Sequence, residues 1–129
     1  MMAQKLITFA EGNVIIMGHF NLVWNVSLDR MDGPTQHSGT FSRRLKHSFK
    51  DMVLHDIWRE QHSHDQEFTF FALVYRRYSR IDYILVSSSL IAQIQASHIG
   101  RTVLSDHAPI SVQLDSFRTG WLELISKTR

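Results

Sequence analysis

The sequence has no cysteine among its 129 residues, so neither a disulfide nor a thiolate metal site is open to it, and a reducing compartment is permitted. Proline and glycine are sparse, at 2 and 6 residues, and no low-complexity linker or internal repeat interrupts the chain. Long apolar runs are also missing. The longest, such as Val14-Ile15-Ile16-Met17, are strand-sized, so no membrane helix is expected. Met1-Met2-Ala3-Gln4-Lys5 has no long apolar run behind its charge, which argues against a secretory leader and for an intracellular place, nuclear or cytoplasmic. Nor is there a large excess of one charge. The formal net charge is +2, to which the 8 histidines add below about pH 6.5. That balance suits a polyanionic partner without requiring one.

What is present is the make-up of an ordinary globular domain, 43% hydrophobic and 20% charged, at a length that buries a real core. Residues 13–18 form a short apolar run ended by Gly18 and read as a buried strand. Residues 21–36 are loop-like, with Asp32-Gly33-Pro34 as the turn signal. Phe41, Leu45, Phe49, Met52 and Val53 recur at helical spacing and predict an amphipathic helix over 41–54, capped by Ser38 or Thr40. Residues 68–73 and 80–87 read as strands, and Ser87, Ser88 or Ser89 then caps a short helix through Leu90, Ile91 and Ile94. A short strand over 102–104 leads to a polar tip at Ser105-Asp106-His107, and alternation over 110–114 closes the sheet. Residues 54–59 fit no single class, and the tail after 117 predicts no clear element. His19, Asn21, Asp82, Asp106 and His107 all fall where strands end, a common way to build a site on a rigid sheet.

Three motifs stand in order. They are Ile15-Ile16-Met17-Gly18-His19-Phe20-Asn21, followed by Leu28-Asp29-Arg30; Tyr78-Ser79-Arg80-Ile81-Asp82-Tyr83-Ile84-Leu85; and Leu104-Ser105-Asp106-His107-Ala108-Pro109-Ile110. Together they resemble the Gly-Asp-Phe-Asn, Ser-Arg-Ile-Asp-Tyr-Ile and Ser-Asp-His motifs of the endonuclease/exonuclease/phosphatase family. Asp56-Ile57-Trp58-Arg59-Glu60 and Phe68-Thr69-Phe70-Phe71 narrow the likeness to the endonuclease domain of LINE-type retrotransposons, which is similar to apurinic/apyrimidinic endonucleases. The resemblance covers residues 7 to 115, and only the second half of that family's domain.

The resemblance implies an α/β fold: the C-terminal half of a four-layer sandwich, with one mixed sheet and helices on its outer face. Residues 1–116 would be the partial domain and 117–129 a divergent tail. The inner face of the sheet, with Ile15, Phe70, Ile84 and Val112, would pack on a sheet from the missing half and be exposed without it. The activity implied is Mg²⁺-dependent (or Mn²⁺-dependent) nicking of DNA. Position 19 would orient and deprotonate the water, and Asn21 would bond the phosphate or that water. His107 would face the phosphate, and Asp82 would accept from its far ring nitrogen and favour imidazolium. Asp106 would help position water or metal. Two departures point to a truncated, catalytically impaired copy. The half that supplies a metal-binding Glu is not matched, and His19 stands where the family has Asp. Imidazole offers one acceptor nitrogen where a carboxylate offers two oxygens, and brings no negative charge to a cation. The alternative is a non-catalytic remnant that binds nucleic acid or protein, pairing with a missing N-terminal half or with itself.

Plainer readings stand beside these. Asp82 could be an ion-pair partner of Arg80 or Arg101, and Ser105-Asp106-His107 a simple turn. His62-Ser63-His64 could hold a metal or be solvated. Arg43, Arg44, Lys46 and Lys50 could touch a DNA backbone or form a solvated helix face. Arg76 and Arg77, just before Tyr78 and Ser79, are the better candidates for phosphate contact, and Trp58, Phe68 and Phe70 are expected in the core.

Overall fold

The computed structural model describes residues 4–8, 13–20, 23–31, 40–74, 76–101, 106–114 and 121–124. In chain order the elements are β1 (Gln4–Thr8), β2 (Val14–His19), α1 (Val26–Asp29), β3 (Arg30–Met31), α2 (Thr40–Asp51), β4 (Leu54–Asp56), α3 (Ile57–Gln61), β5 (Phe70–Ala72), β6 (Arg77–Ser79), β7 (Asp82–Ser87), a 3-10 helix (Ser88–Gln93), β8 (Ile94–Ile99), β9 (Ile110–Leu114) and β10 (Trp121–Leu124). The class is mixed α/β, but the expected single mixed sheet is replaced by three sheets, ordered β1-β2-β7-β4, β10-β9-β8 and β3-β6-β5. Every described strand pairing is antiparallel. No described helix is long and apolar enough to cross a membrane.

The strand expected over 80–87 starts only at Asp82, and the reason is local. The Arg80 N–H goes to the Asp29 carbonyl (2.8 Å) and the Ile81 N–H to Thr69 Oγ1 (3.0 Å). Neither bond belongs to a ladder, so the chain leaves the β3-β6-β5 sheet at Arg80 and enters the four-stranded one at Asp82. β7 is then buried on both faces and alternates between two cores. Ile84 and Val86, with Ile15 and Met17 of β2, pack against Ile94, Ile110, Val112 and Leu114 of the β8–β9 sheet. Tyr83 and Leu85 turn the other way, onto Phe20, Leu54 and Phe49 of α2. The order is helix, sheet, sheet. The expectation that Ile15, Ile84 and Val112 form an exposed inner face is therefore overturned: they are 0%, 1% and 0% exposed, because Ile15 and Ile84 of the four-stranded sheet pack against Val112 and its neighbours in the β8–β9 sheet of this same chain.

The helix expected over 41–54 ends at Asp51. Val53 has φ of +55°, a left-handed turn that a helix cannot continue through, and Met52 and Val53 are left exposed. The ambiguous residues 54–59 resolve into β4 and the start of α3, with the Asp56 carboxylate accepting from the Arg59 N–H as the helix cap. The short helix after Ser87 forms, but no serine caps it with a side-chain bond; Ser87 Oγ accepts instead from the Val14 N–H at 2.8 Å. β8 runs through residues read as the end of that helix, β1 was not expected, and the tail supplies β10, which pairs with β9. The strand expected over 102–104 lies outside the described residues.

Candidate functional site

The ends of β2 and β7 meet in register, His19 opposite Asp82. The loop that carries His107 is brought to the same corner by the segment before β5. Ala108 N–H donates to the Thr69 carbonyl (2.7 Å), Phe71 N–H to the Asp106 carbonyl (3.3 Å), and Phe70 bridges to His107. Gly100 closes the far side of the loop. Its N–H donates to the Pro109 carbonyl at 2.8 Å, and a Cβ there would stand 2.9 Å from the proline ring. Thr69, 1% exposed, accepts from the N–H groups of both Ile81 and Asp82 (3.0 and 3.2 Å), so the turn that presents the Asp82 carboxylate is fixed from below.

Asp82 is 2% exposed and its two oxygens are divided between two rings. His107 Nδ1 stands 2.9 Å from Oδ2, and His19 Nδ1 contacts Oδ1. The rings lie 4.4 Å apart between centroids, and Phe70 walls His107 at 4.7 Å. One donor atom from each of His19, Asp82 and His107 lies within 4.8 Å of the others. His19 Nε2 is buried and has no hydrogen-bond partner among the described residues.

A carboxylate against two imidazoles would ordinarily favour imidazolium, but a single charge is shared here and burial opposes it. Burial, followed by the charge of His107, lowers the His19 pKa to about 4. Burial also lowers His107, against an upward pull from Asp106. Both shifts run toward the neutral ring, opposite in direction to the imidazolium expected of His107 beside Asp82.

The expected site residues separate as follows. His19, Asp82 and His107 come together. Asn21 lies outside the described residues. Asp106 is exposed beside His107 and is not part of the three-residue donor group; Asp82 is its carboxylate. Arg76 occupies the turn between β5 and β6, with φ of +49°, and Arg77 opens β6, on the hairpin whose first strand touches His107. Ser79 is 8% exposed within β6, too enclosed for the phosphate contact expected of it. His62 stacks on Trp58 at 4.6 Å and bonds its carbonyl, and neither His62 nor His64 joins a metal-capable group among the described residues. Trp58 is in the core at 2% exposure, whereas Phe68 and Phe70 are half-buried. Arg43, Lys46 and Lys50 line a cleft of about 760 Å³ with Trp24, whose carbonyl accepts from Lys46 Nζ at 2.8 Å.

Sequence reading missed what supports the corner. Arg80, 1% exposed, is the hub of a buried ion network and not a partner of Asp82. Its guanidinium holds Asp29 (2.8 and 3.0 Å) and Asp56 (3.1 and 2.6 Å), and it lies over the rings of Trp58 and Tyr83. Arg59 adds a third bond to Asp29, at 2.5 Å. Burial alone would lower the Arg80 pKa; the two carboxylates reverse that and hold it above the usual arginine range. Asp29, Asp56 and Arg80 all lie in the motifs quoted above, and a buried arginine's need for carboxylates is the signal that could have joined them.

Magnesium is a poor match for these residues. It takes oxygen ligands in octahedral geometry and keeps several waters. The corner offers two imidazoles and one carboxylate whose oxygens are both engaged. Compared with the models of known protein families, the chain matches none.

Proposed function

We propose that this chain is the second half of a phosphodiester-hydrolysing domain of the LINE-type endonuclease kind, a four-layer sandwich when whole, and that its reaction centre is impaired. The observation that carries the reading is the His107–Asp82 pair: a histidine at a loop tip held through Nδ1, at 2.9 Å, by a buried carboxylate at a strand end. That is an arrangement for aiming one ring at a phosphate. DNA is the substrate in this reading, and Mg²⁺ or Mn²⁺ the metal of the intact enzyme, with oxygen ligands from outside the described corner.

Hydrolysis needs a water with a base beside it and positive charge on the phosphate oxygens. His19 spoils both. Its ring is buried and its pKa is lowered to about 4, so it accepts a proton poorly at neutral pH. It also takes one oxygen of Asp82 from the pair that should polarise His107. Loss of a positioned base costs about 10²–10⁴ in rate. The cations of the Trp24 cleft would serve the DNA backbone rather than the chemistry.

The purified chain should therefore not nick supercoiled plasmid in Mg²⁺ above a blank. Nicking that EDTA stops and His107→Ala abolishes would overturn the impaired reading.

A further inference from the structure

The histidine that removes the base also changes the kind of cation the corner can hold. We propose that His19, Asp82 and His107 form a binding site for a zinc-class transition-metal ion, with one nitrogen from each ring and a carboxylate oxygen as ligands and at least one coordination position left open. It concerns the same corner as the proposed function but does not use the reaction assigned there.

The donor set carries the argument. Two imidazoles and one carboxylate are borderline ligands that suit Zn²⁺, Co²⁺ or Ni²⁺, and three protein ligands with a vacant fourth position is the pattern of open zinc sites. One donor atom from each residue already lies within 4.8 Å of the others. Bonds of 2.0–2.2 Å to a tetrahedral ion place donors about 3.3–3.6 Å apart, so an entering ion would take the place of the present bonds between the rings and Asp82. The ligands sit on rigid supports: His19 and Asp82 are register partners in one sheet, Thr69 fixes the backbone of Asp82, and Phe70 bridges to His107. Beside it stands His19 Nε2. The residue is 7% exposed with Nδ1 turned to Asp82, and Nε2 has no hydrogen-bond partner among the described residues, so turning the ring brings an unclaimed nitrogen to the ion. Phe70 against His107 and the buried surroundings of Asp82 keep competing water low.

The test titrates Zn²⁺ into the chelator-treated full chain by calorimetry at neutral pH and records the visible spectrum with Co²⁺. One strong site per chain is expected, with the intense d–d absorption of a four- or five-coordinate Co²⁺ complex. His19→Ala and His107→Ala should each weaken binding at least tenfold and remove the cobalt bands, while the His62→Ala/His64→Ala double variant should leave both unchanged. His19→Asp should also weaken Zn²⁺ at least tenfold, since it returns the site to harder oxygen ligands. Zinc binding that survives His19→Ala, or that disappears with His62 and His64, would overturn the assignment. Should the alanine variants fail to fold by circular dichroism, the unsubstituted chain still decides: a pale octahedral cobalt spectrum contradicts the site. Zinc can fail to bind while His19→Asp restores nicking in an intact domain, and the reverse, so the two readings fail separately.

Discussion

At the scale of single residues, everything turns on one carboxylate serving two rings. Asp82 was legible as a site residue because it stands in the Ser-Arg-Ile-Asp-Tyr-Ile motif, and so was His107. What the sequence could not disclose is that His19 would reach the same carboxylate, because that depends on the β2–β7 register and not on any spacing along the chain. The burial of His19 has a consequence for stability. The folded His19 pKa is about 4, below the unfolded value of about 6.5, so the unfolded state binds the proton more readily. Stability is full above about pH 6.5, is lost as pH falls toward 4, and levels off below. His107, also lowered, acts in the same direction. The upper bound for His19 alone is about 3 kcal/mol. Urea unfolding in the presence of a chelator, repeated at pH values across that window, should show this fall, and His19→Asn should remove the larger part of it. Identical slopes for the two proteins would mean that His19 is not buried against Asp82 as described.

At the scale of elements, the corner is held by charges that no helix or strand pattern reveals. Arg80 fastens the end of α1, through Asp29, to the junction of β4 and α3, through Asp56, and does so at the point where the chain crosses between sheets. Removing it leaves Asp56 without the guanidinium it faces and Asp29 with Arg59 alone, and breaking such a buried pair typically costs about 3–5 kcal/mol. Arg80→Ala should cost that much in chemical denaturation. Arg80→Lys should recover only part of it, because an ammonium cannot fork between two carboxylates. A loss below about 1 kcal/mol would show the network to be solvated and unimportant. The helical period over 41–54 was legible and α2 is where it predicts, yet its last turn is cut short by the left-handed Val53, a β-branched residue for which no propensity argument expects that backbone. The short helix was expected to reach Ile94, because Ile91 and Ile94 are three apart as on a helix face, but it ends at Gln93 and Ile94 opens β8, a strand that was not expected.

For the whole molecule, the sequence conveyed the class and the strand-end placement of the site but not the number of sheets. A strand reads the same whether its apolar face meets a partner from its own chain or from elsewhere. Ile15, Ile84 and Val112 were assigned to a missing partner, whereas they pack on one another across the two sheets of this chain. A core between its own two sheets makes the chain more self-sufficient than the bare half-sandwich that was expected. We propose the corner of His19, Asp82 and His107 as a phosphodiesterase centre disabled at position 19. The most direct measurement fuses the first half of a LINE-type endonuclease ahead of Met1 and compares Mg²⁺-dependent plasmid nicking with His19 and with His19→Asp. The account predicts a gain of at least about 10² for His19→Asp, the typical share of a positioned base, and its loss when Asp82→Ala is added. A fusion that folds cooperatively yet stays inert with His19→Asp would contradict it.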